Sequence, residues 1–282
     1  MRVPVRIVTD SASDLSQALA DELGIRIVPL TVRLGSDDFL DRVGLSPSEL
    51  WARCSTASGL PETAAPAPAQ FERAYHGLAD AGAREVVVVT VSSLLSGTMQ
   101  SAELAARSLT GSLRIAVVDS RSATTGLGMI AVAAARRANA GGSLADVVAL
   151  VQDLAGRTQV CAALESLDHV GVRTGGARAR LASALSLKPI VELREGRFGP
   201  VGYQRSRSSS LRALVHRVQA AGPIDALGVF HADSTDVDRL VTSLALLAPA
   251  PLMVTDVGAA AFALCGRGAV GVAYQRRSGP NA

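Results

Sequence analysis

The chain has 282 residues, of which 48% are hydrophobic, and its formal net charge is +3. This composition argues against a disordered chain and allows one large domain or two ordinary domains with real cores. The small net charge gives little support for nucleic-acid binding. No apolar run is long enough to span a bilayer, so we expect no stable membrane insertion.

The first ten residues, MRVPVRIVTD, lead directly into a strand and lack the apolar core of a signal peptide. We therefore expect a cytoplasmic protein. The three cysteines, Cys54, Cys161 and Cys265, are widely separated and form no CxxC or Cys/His spacing. Neither a metal site nor a disulfide framework is expected, and no pattern calls for a cofactor.

The first half of the chain alternates strands with helices. The predicted elements are a strand at 5–10, a helix at 15–23, an extended segment at 25–34, a loop-rich stretch at 35–68, a helix at 69–80, a strand at 85–91, a helix beginning near 98, a strand at 113–119, and helices at 125–139 and 143–155. Regular strand–helix alternation favours a parallel, doubly wound sheet.

The second half has a different pattern. Residues 187–205 predict a β-hairpin with Glu195 and Gly196 at its turn. A helix at 208–220, a strand at 225–232, a helix at 235–247 and strands near 252–255 and 269–274 follow. We predict an α/β protein: a Rossmann-like domain over 1–156 with a mostly parallel sheet, and an α+β domain over 157–282 with a mixed or antiparallel sheet.

Hydroxyl side chains follow three of the predicted strands. They are Ser11, then Ser92, Ser93 and Ser96, then Ser120 and Ser122. Ligands of open parallel sheets bind at the carboxyl ends of strands, near a topological switch point. Thr63 lies in a Pro/Ala-rich loop, where restricted φ angles can fix its side chain.

The segment Ser96-Gly97-Thr98 stands where a buried strand turns into a helix. A helix begins with free N–H groups and a partial positive charge, and glycine lets a ligand approach the backbone closely. Such a turn either caps the helix or binds an anion, and the local pattern leaves both interpretations open.

Enzymatic alternatives have weaker signals. GLGMIA, at 126–131, fits GxGxxA formally, but SRSATT separates it from the preceding strand. A Walker-type loop is excluded because no GK[ST] occurs, and the G-x-S-x-G elbow of a serine hydrolase is absent. The four histidines fall in no catalytic pattern. A Rossmann-like enzyme using a nucleotide, or a hydrolase using Ser96, stays as the alternative.

These stretches together resemble the DegV family of bacterial fatty-acid-binding proteins, which includes the binding subunits of fatty acid kinase. The segments that carry the resemblance are RIVTDSASDL, TAAPAPAQF, VSSLLSGTMQSAELA, VVDSRSATTGLG and SLKPIVEL followed by QRSR. They occur in the family's order along essentially the whole chain.

The resemblance implies a non-catalytic protein that holds a long-chain fatty acid in a buried tunnel and presents its carboxylate to a separate kinase. By the same resemblance Thr63 and Ser96 bind the carboxylate, with Gly97 and Thr98 as backbone support; Ser11 is a further candidate. Bonds to a charged acceptor contribute roughly 1.5–3 kcal/mol each, which suits a buried carboxylate.

Two segments depart from the family pattern. Leu264 stands where the family's carboxylate-binding histidine is usual. The densest positive segment, 172–180, matches the family's G-G-R-I-S segment poorly, and Arg173 is the best match for its arginine. Arg205 and Arg207 match the R-T-R arginines. The resemblance implies that these three arginines form a surface for the kinase partner or for phosphate; a solvated loop is the alternative for 172–180.

Overall fold

A computed structural model describes residues 5–56, 61–109, 113–166, 187–248 and 251–278. The strands in these ranges are β1 (Arg6–Asp10), β2 (Ile25–Val28), β3 (Thr31–Leu34), β4 (Asp37–Leu40), β5 (Glu62–Ala64), β6 (Glu85–Thr90), β7 (Arg114–Asp119), β8 (Thr158–Ala163), β9 (Lys188–Arg194), β10 (Arg197–Gln204), β11 (Ile224–His231), β12 (Met253–Asp256) and β13 (Val270–Arg276). The α-helices are α1 (Gln17–Leu23), α2 (Pro47–Thr56), α3 (Pro68–Asp80), α4 (Thr98–Ser108), α5 (Thr124–Asn139), α6 (Leu144–Arg157), α7 (Arg207–Ala220), α8 (Val237–Leu244) and α9 (Ala259–Cys265).

Four parallel strands form the first sheet, in the order β2-β1-β6-β7. Every residue of β6 is buried, as the unbroken apolar run predicts for a strand covered on both faces. Helices α3 and α4 pack on one face, around Phe71 and Tyr75, while α5 and α6 cover the other. Chain order reverses between β1 and β6, so their carboxyl ends form the topological switch point. The predicted parallel α/β sheet is confirmed.

The second sheet has six strands in the order β10-β9-β8-β13-β11-β12. All neighbours are antiparallel except β11 and β12, which are parallel. The β9–β10 hairpin turns at Glu195 and Gly196, whose φ angles are +49° and +82°. Two left-handed turn residues match the right-handed twist of the flanking strands. The predicted hairpin and mixed sheet are thus confirmed.

Helix α5 lies between the two sheets, and it is buried along nearly its whole length. Gly126 and Gly128 allow this close packing: a Cβ on Gly128 would lie 2.6 Å from the Ser13 carbonyl oxygen. The GLGMIA glycines therefore serve helix packing in this structure. One hydrophobic core spans both sheets, and it includes Val89, Leu127 and Phe230. The predicted domain boundary near 156 lies at the end of α6, directly before β8, and stays a prediction.

The stretch 35–68 was expected to be rich in loops, and this expectation is wrong. Strands β4, β3 and β5 form a three-stranded antiparallel sheet, and α2 follows β4. The sequence did not predict α2, because Pro47 and the serines around it are typical of loops. In the structure the Ser46 hydroxyl accepts a bond from the Glu49 N–H, while Ser46 donates to the Glu49 carboxylate. This reciprocal cap begins a helix, with proline at a position that it tolerates.

Smaller corrections concern element ends. Helix α1 begins at Gln17 rather than at 15, because Asp14 has a φ of +56° and the Ser16 hydroxyl caps the helix through the Leu19 N–H. Strand β8 and helix α9 were not predicted at all. Both are short apolar segments whose pattern does not distinguish strand from helix or loop.

Candidate functional site

The S-G-T turn lies at the carboxyl end of β6, where Thr98 begins α4. The hydroxyls of Ser96 and Thr98 are 2.8 Å apart, within hydrogen-bonding distance. Gly97 is the N-cap residue of α4 and has no side chain to cap the helix. The first amides of α4 therefore keep the capacity to bind an anion, and Ser96 stands beside them half-buried.

Thr63 reaches the same place from a different sheet. It lies in β5, paired with Val32 of β3, and is half-buried. Thr63, Ser96 and Gly97 all line one cavity of about 450 Å³. This volume falls within the range of small-molecule sites, about 300–1,000 Å³. The structure therefore brings together the two hydroxyl residues that the family resemblance paired.

The cavity is formed by loops of the first sheet, by β5 of the three-stranded sheet, by β10 of the second sheet and by α9. Its remaining lining residues are mainly apolar: Ala12, Leu30, Ala64, Ala65, Val91, Leu94, Leu95, Ala123, Thr124, Arg197, Phe198, Ala260, Ala261 and Leu264. A smaller void of about 50 Å³ lies next to it and shares part of its wall. The two share Thr124, Phe198, Ala261 and Leu264, and the smaller void adds Ala162, Leu164, Val191, Gly199, Phe230 and Cys265. The site therefore has an outer end with hydroxyls and an apolar inner end.

Leu264 lies on α9, half-buried, at the junction of the cavity and the inner void. A leucine side chain offers no hydrogen-bond donor. Leu264 is thus an apolar part of the wall, while its correspondence to the family's histidine stays a prediction.

Buried aspartates fix the start of α9. The carboxylate of Asp14 accepts a bond from the Gly258 N–H at 2.9 Å, and that of Asp41 accepts from the Ala259 N–H at 3.2 Å. Arg42 donates to Asp14 at 3.0 Å. Burial raises the pKa of Asp14 to about 6 despite this guanidinium, and it also raises the pKa of Asp41. These contacts position the helix that carries the cavity wall.

Asp10 links the ends of β1 and β6. Its carboxylate accepts bonds from the Ala12 N–H at 3.0 Å and from the Val91 N–H at 2.8 Å. Burial raises its pKa to about 7, and the two amide donors oppose that rise. Because Ala12 and Val91 both line the cavity, Asp10 holds two parts of its wall together.

Ser11 is buried, and its hydroxyl is engaged within the protein. It accepts a bond from the Leu30 N–H at 3.0 Å and hydrogen-bonds the Asp41 side chain. Its neighbour Ala12 lines the cavity, whereas Ser11 itself is not among the described lining residues. A role of Ser11 in binding the ligand stays a prediction.

The three predicted surface arginines have different positions. Arg173 lies outside the described residues. Arg205 is exposed at the end of β10. Arg207 is bound within the protein: its guanidinium contacts Asp236 at 2.6 Å, Ser234 at 2.7 Å and the Gly268 carbonyl at 2.6 Å. Of the two that are described, only Arg205 presents its side chain to solvent as a partner surface requires.

Most of the lining residues were missed by the sequence reasoning, and three of them have distinctive chemistry or geometry. Arg197 and Phe198 follow the hairpin turn and point to the first sheet's loops, a contact that no local pattern predicts. Thr124 has a φ of +52°, which is unusual for a β-branched residue, and its buried hydroxyl has no partner among the described residues. For these three residues, the only sequence signal was the basic Arg197 directly after the predicted turn.

A larger surface depression, of about 1180 Å³, lies elsewhere on the second sheet and shares no lining residue with the cavity. Its wall carries charged side chains that pair with one another; Glu192 contacts both Arg194 and Arg217 at 3.0 Å. It is open and charged, without the hydroxyl cluster or the apolar inner end. The smaller cavity is therefore the better candidate for an amphipathic ligand.

Within the described part of the chain, no group of acidic, histidine or cysteine side chains has the arrangement of a metal site. Nor does any helix there have the length and apolar character needed to cross a membrane.

Known proteins resemble this chain over nearly its whole length. The family model described as "Uncharacterised protein, DegV family" matches residues 4–277. A DegV domain-containing protein of Mycobacterium tuberculosis is 36% identical over 286 residues, covering 99% of both chains. A DegV domain-containing protein of Deinococcus radiodurans is 32% identical over 278 residues, covering 96% of this chain and 98% of that protein.

Solved structures show the same fold. A fatty-acid-binding DegV family protein from Thermus thermophilus superposes with a TM-score of 0.87 at 31% identity, covering 98% of this chain and 100% of that one. DegV of Bacillus subtilis, a fatty acid binding protein, gives a TM-score of 0.84 at 21% identity, covering 98% and 100%. The family resemblance of the sequence is confirmed, and the chain belongs to the DegV family.

Proposed function

We propose that this protein binds a long-chain fatty acid in the cavity, with the carboxylate at the S-G-T turn and the acyl chain toward the apolar inner end. The observation that carries the proposal is a cavity lined by Thr63, Ser96 and Gly97 next to an apolar void, with Leu264 in the wall of both. The fatty-acid-binding relative from Thermus thermophilus supports it.

The energetics suit such a ligand. Hydroxyl and amide donors contribute roughly 1.5–3 kcal/mol for each bond to a charged acceptor. Burial of the chain adds about 0.8 kcal/mol per CH₂ before the cost of association. Carboxylate and tail thus need different parts of the site: Thr63 and Ser96 lie in the part with hydroxyls, and the void beyond Leu264 is apolar.

We further propose that the protein is not itself an enzyme and that a separate kinase phosphorylates the bound carboxylate. The Ser96 hydroxyl has Thr98 as its neighbour, and no histidine lies beside it among the described residues, which disfavours a hydrolase. The exposed Arg205 suits the kinase-facing surface. The cytoplasmic location expected from the sequence stays a prediction.

The binding proposal is tested by native mass spectrometry of the purified protein, followed by calorimetric titration of delipidated protein with palmitate. Ser96→Ala removes one charge-assisted bond, so it is expected to weaken palmitate binding about tenfold or more. Ser101→Ala is the matched control, because Ser101 lies one turn further along α4 and does not line the cavity. Co-purified nucleotide with no affinity for palmitate would overturn the proposal.

The kinase proposal needs a separate assay. Palmitate-loaded protein, ATP and an extract of the native organism are combined with hydroxylamine, which converts an acyl phosphate into a stable hydroxamate. We expect hydroxamate only when the protein is present, and less of it with Arg205→Ala at unchanged palmitate affinity. Equal yields with and without the protein would contradict the presentation role while leaving fatty acid binding intact.

A further inference from the structure

Arg197 occupies the outer end of the cavity. It is the first residue of β10 and is exposed, yet it lines the cavity together with Ser96 and Thr63. Among the described lining residues it is the only one with a charged side chain. No ion pair holds its guanidinium within the described part of the chain. Within the described residues, an unpaired cation therefore stands at the mouth of a site whose other polar lining groups are uncharged.

The hairpin tip that carries Arg197 is fixed against the loop that carries Ser96. The Ser92 hydroxyl donates to the Gly196 carbonyl at 2.8 Å. The two segments approach so closely that a Cβ on Gly196 would lie 2.6 Å from the Ser92 Oγ and 3.4 Å from the Leu94 Cδ1. Arg197 follows Gly196 directly, so its place beside the S-G-T loop is set by tertiary contact.

Phe198, the residue after Arg197, lies further into the site. Phe198 lines both the cavity and the inner void, whereas Arg197 lines only the cavity. Consecutive residues of β10 thus present a cation to the mouth and an aromatic ring to the interior. An amphipathic anion placed along this axis has its charge at Arg197 and its tail at Phe198.

Part of the cavity wall offers an anion no hydrogen-bond donor. Leu264 contributes no donor, and an ionised group beside apolar side chains is disfavoured by desolvation. Neutral hydroxyls offset only part of that cost. A guanidinium offers both charge and several N–H donors in the planar geometry that matches a carboxylate.

We propose that Arg197 is a ligand-binding residue that holds the anionic head group at the mouth of the cavity, and that it makes the site selective for acyl anions over neutral lipids of equal length. This inference rests on the proposed function and adds the residue that determines head-group charge. Arg194 is the matched control: it lies in the same hairpin and is exposed, but it pairs with Glu192 and lines the separate depression.

The test compares palmitate with hexadecanol, a neutral ligand of equal chain length, using delipidated protein. Arg197→Ala should weaken palmitate binding about tenfold or more and hexadecanol binding less than about twofold. Arg197→Lys should recover most of the palmitate affinity, and Arg194→Ala should leave both affinities unchanged. Added sodium chloride should weaken palmitate binding by the wild-type protein more than by Arg197→Ala.

Equal losses for both ligands would overturn the proposal, since Arg197 would then act by shaping the mouth. Unchanged palmitate affinity in a folded Arg197→Ala variant would overturn it as well, while fatty acid binding would stand. If the wild-type protein binds hexadecanol but not palmitate, both the selectivity and the proposed function fail.

Discussion

Ser92 and Gly196 are 104 positions apart in the chain, and the Ser92 hydroxyl donates a 2.8 Å hydrogen bond to the Gly196 carbonyl. Ser92 belongs to the loop after β6 in the first sheet, and Gly196 to the hairpin turn of the second. This bond joins the two structural halves at the place where the cavity opens. The cavity's shape therefore depends on both sheets.

Gly196→Ala is expected to lower the free energy of unfolding by about 1–2 kcal/mol, because an L side chain is strained at a φ of +82°. The added Cβ would also lie 2.6 Å from the Ser92 Oγ, so the hydrogen bond must give way. We expect weaker palmitate binding in consequence. Denaturant unfolding and calorimetry measure the two effects.

The control is Gly202→Ala, at a position in β10 with open space around the Cβ, no left-handed φ and no place in the wall of the cavity or the inner void. If both glycine variants unfold and bind alike, the contact between Ser92 and Gly196 does not determine the cavity.

Arg205 and Arg207 are two positions apart and should differ in their effect on stability. Arg207→Ala leaves the Asp236 carboxylate without its 2.6 Å partner and the Gly268 carbonyl without its donor. A loss of about 2–3 kcal/mol in unfolding free energy is expected. Arg205→Ala should change it by less than about 0.5 kcal/mol, as for an ordinary surface residue. Equal stability of the two variants would show that the Arg207 contacts contribute nothing measurable.

The stability of the fold should fall as the pH rises through the raised pKa of Asp10, about 7. Between about pH 4, the pKa of an unfolded aspartate, and pH 7, the folded state retains a proton that the unfolded state has lost. The contribution of Asp10 is therefore complete below about pH 4 and lost above pH 7. The titration of Asp10 alone should lower the unfolding free energy by on the order of 2 kcal/mol between pH 5 and pH 8, and Asp14, whose pKa is raised to about 6, adds to this fall.

Asp10→Asn removes this titration, and its unfolding free energy should vary less over the same interval. Asp21→Asn, on the exposed surface of α1, provides the comparison. A pH dependence in Asp10→Asn as steep as in the wild-type protein would show that Asp10 is ionised in the fold throughout this range.

Leu264→His is expected to strengthen palmitate binding near neutral pH by about tenfold at most, since it adds a donor beside the cavity while its ring must be desolvated. Leu264→Met keeps an apolar side chain of similar volume without a donor, and it should bind palmitate like the wild-type protein. Weaker binding by a Leu264→His variant that remains folded by circular dichroism would indicate a natural ligand other than a common free fatty acid.

The sequence by itself determined the elements whose signals are local. The buried strand β6 is a run of apolar residues, the turn at Glu195 and Gly196 has a residue pair suited to two left-handed angles, and the S-G-T turn stands at a helix start. Each of these depends on a few consecutive residues and on backbone sterics, so a short window of sequence suffices. The family resemblance added the pairing of Thr63 with Ser96.

The family resemblance also pointed to Leu264, but the tertiary structure decided the other residues around that pair. Strand β4 and helix α2 were missed because polar and proline-containing segments fold there through reciprocal capping and strand pairing. Arg197 and Leu264 reach the cavity only because the hairpin docks on the Ser92 loop and because Asp14 and Asp41 hold the start of α9. These contacts join residues that are far apart in the chain, so no local sequence pattern predicts them. The walls of the binding site are therefore set by tertiary packing.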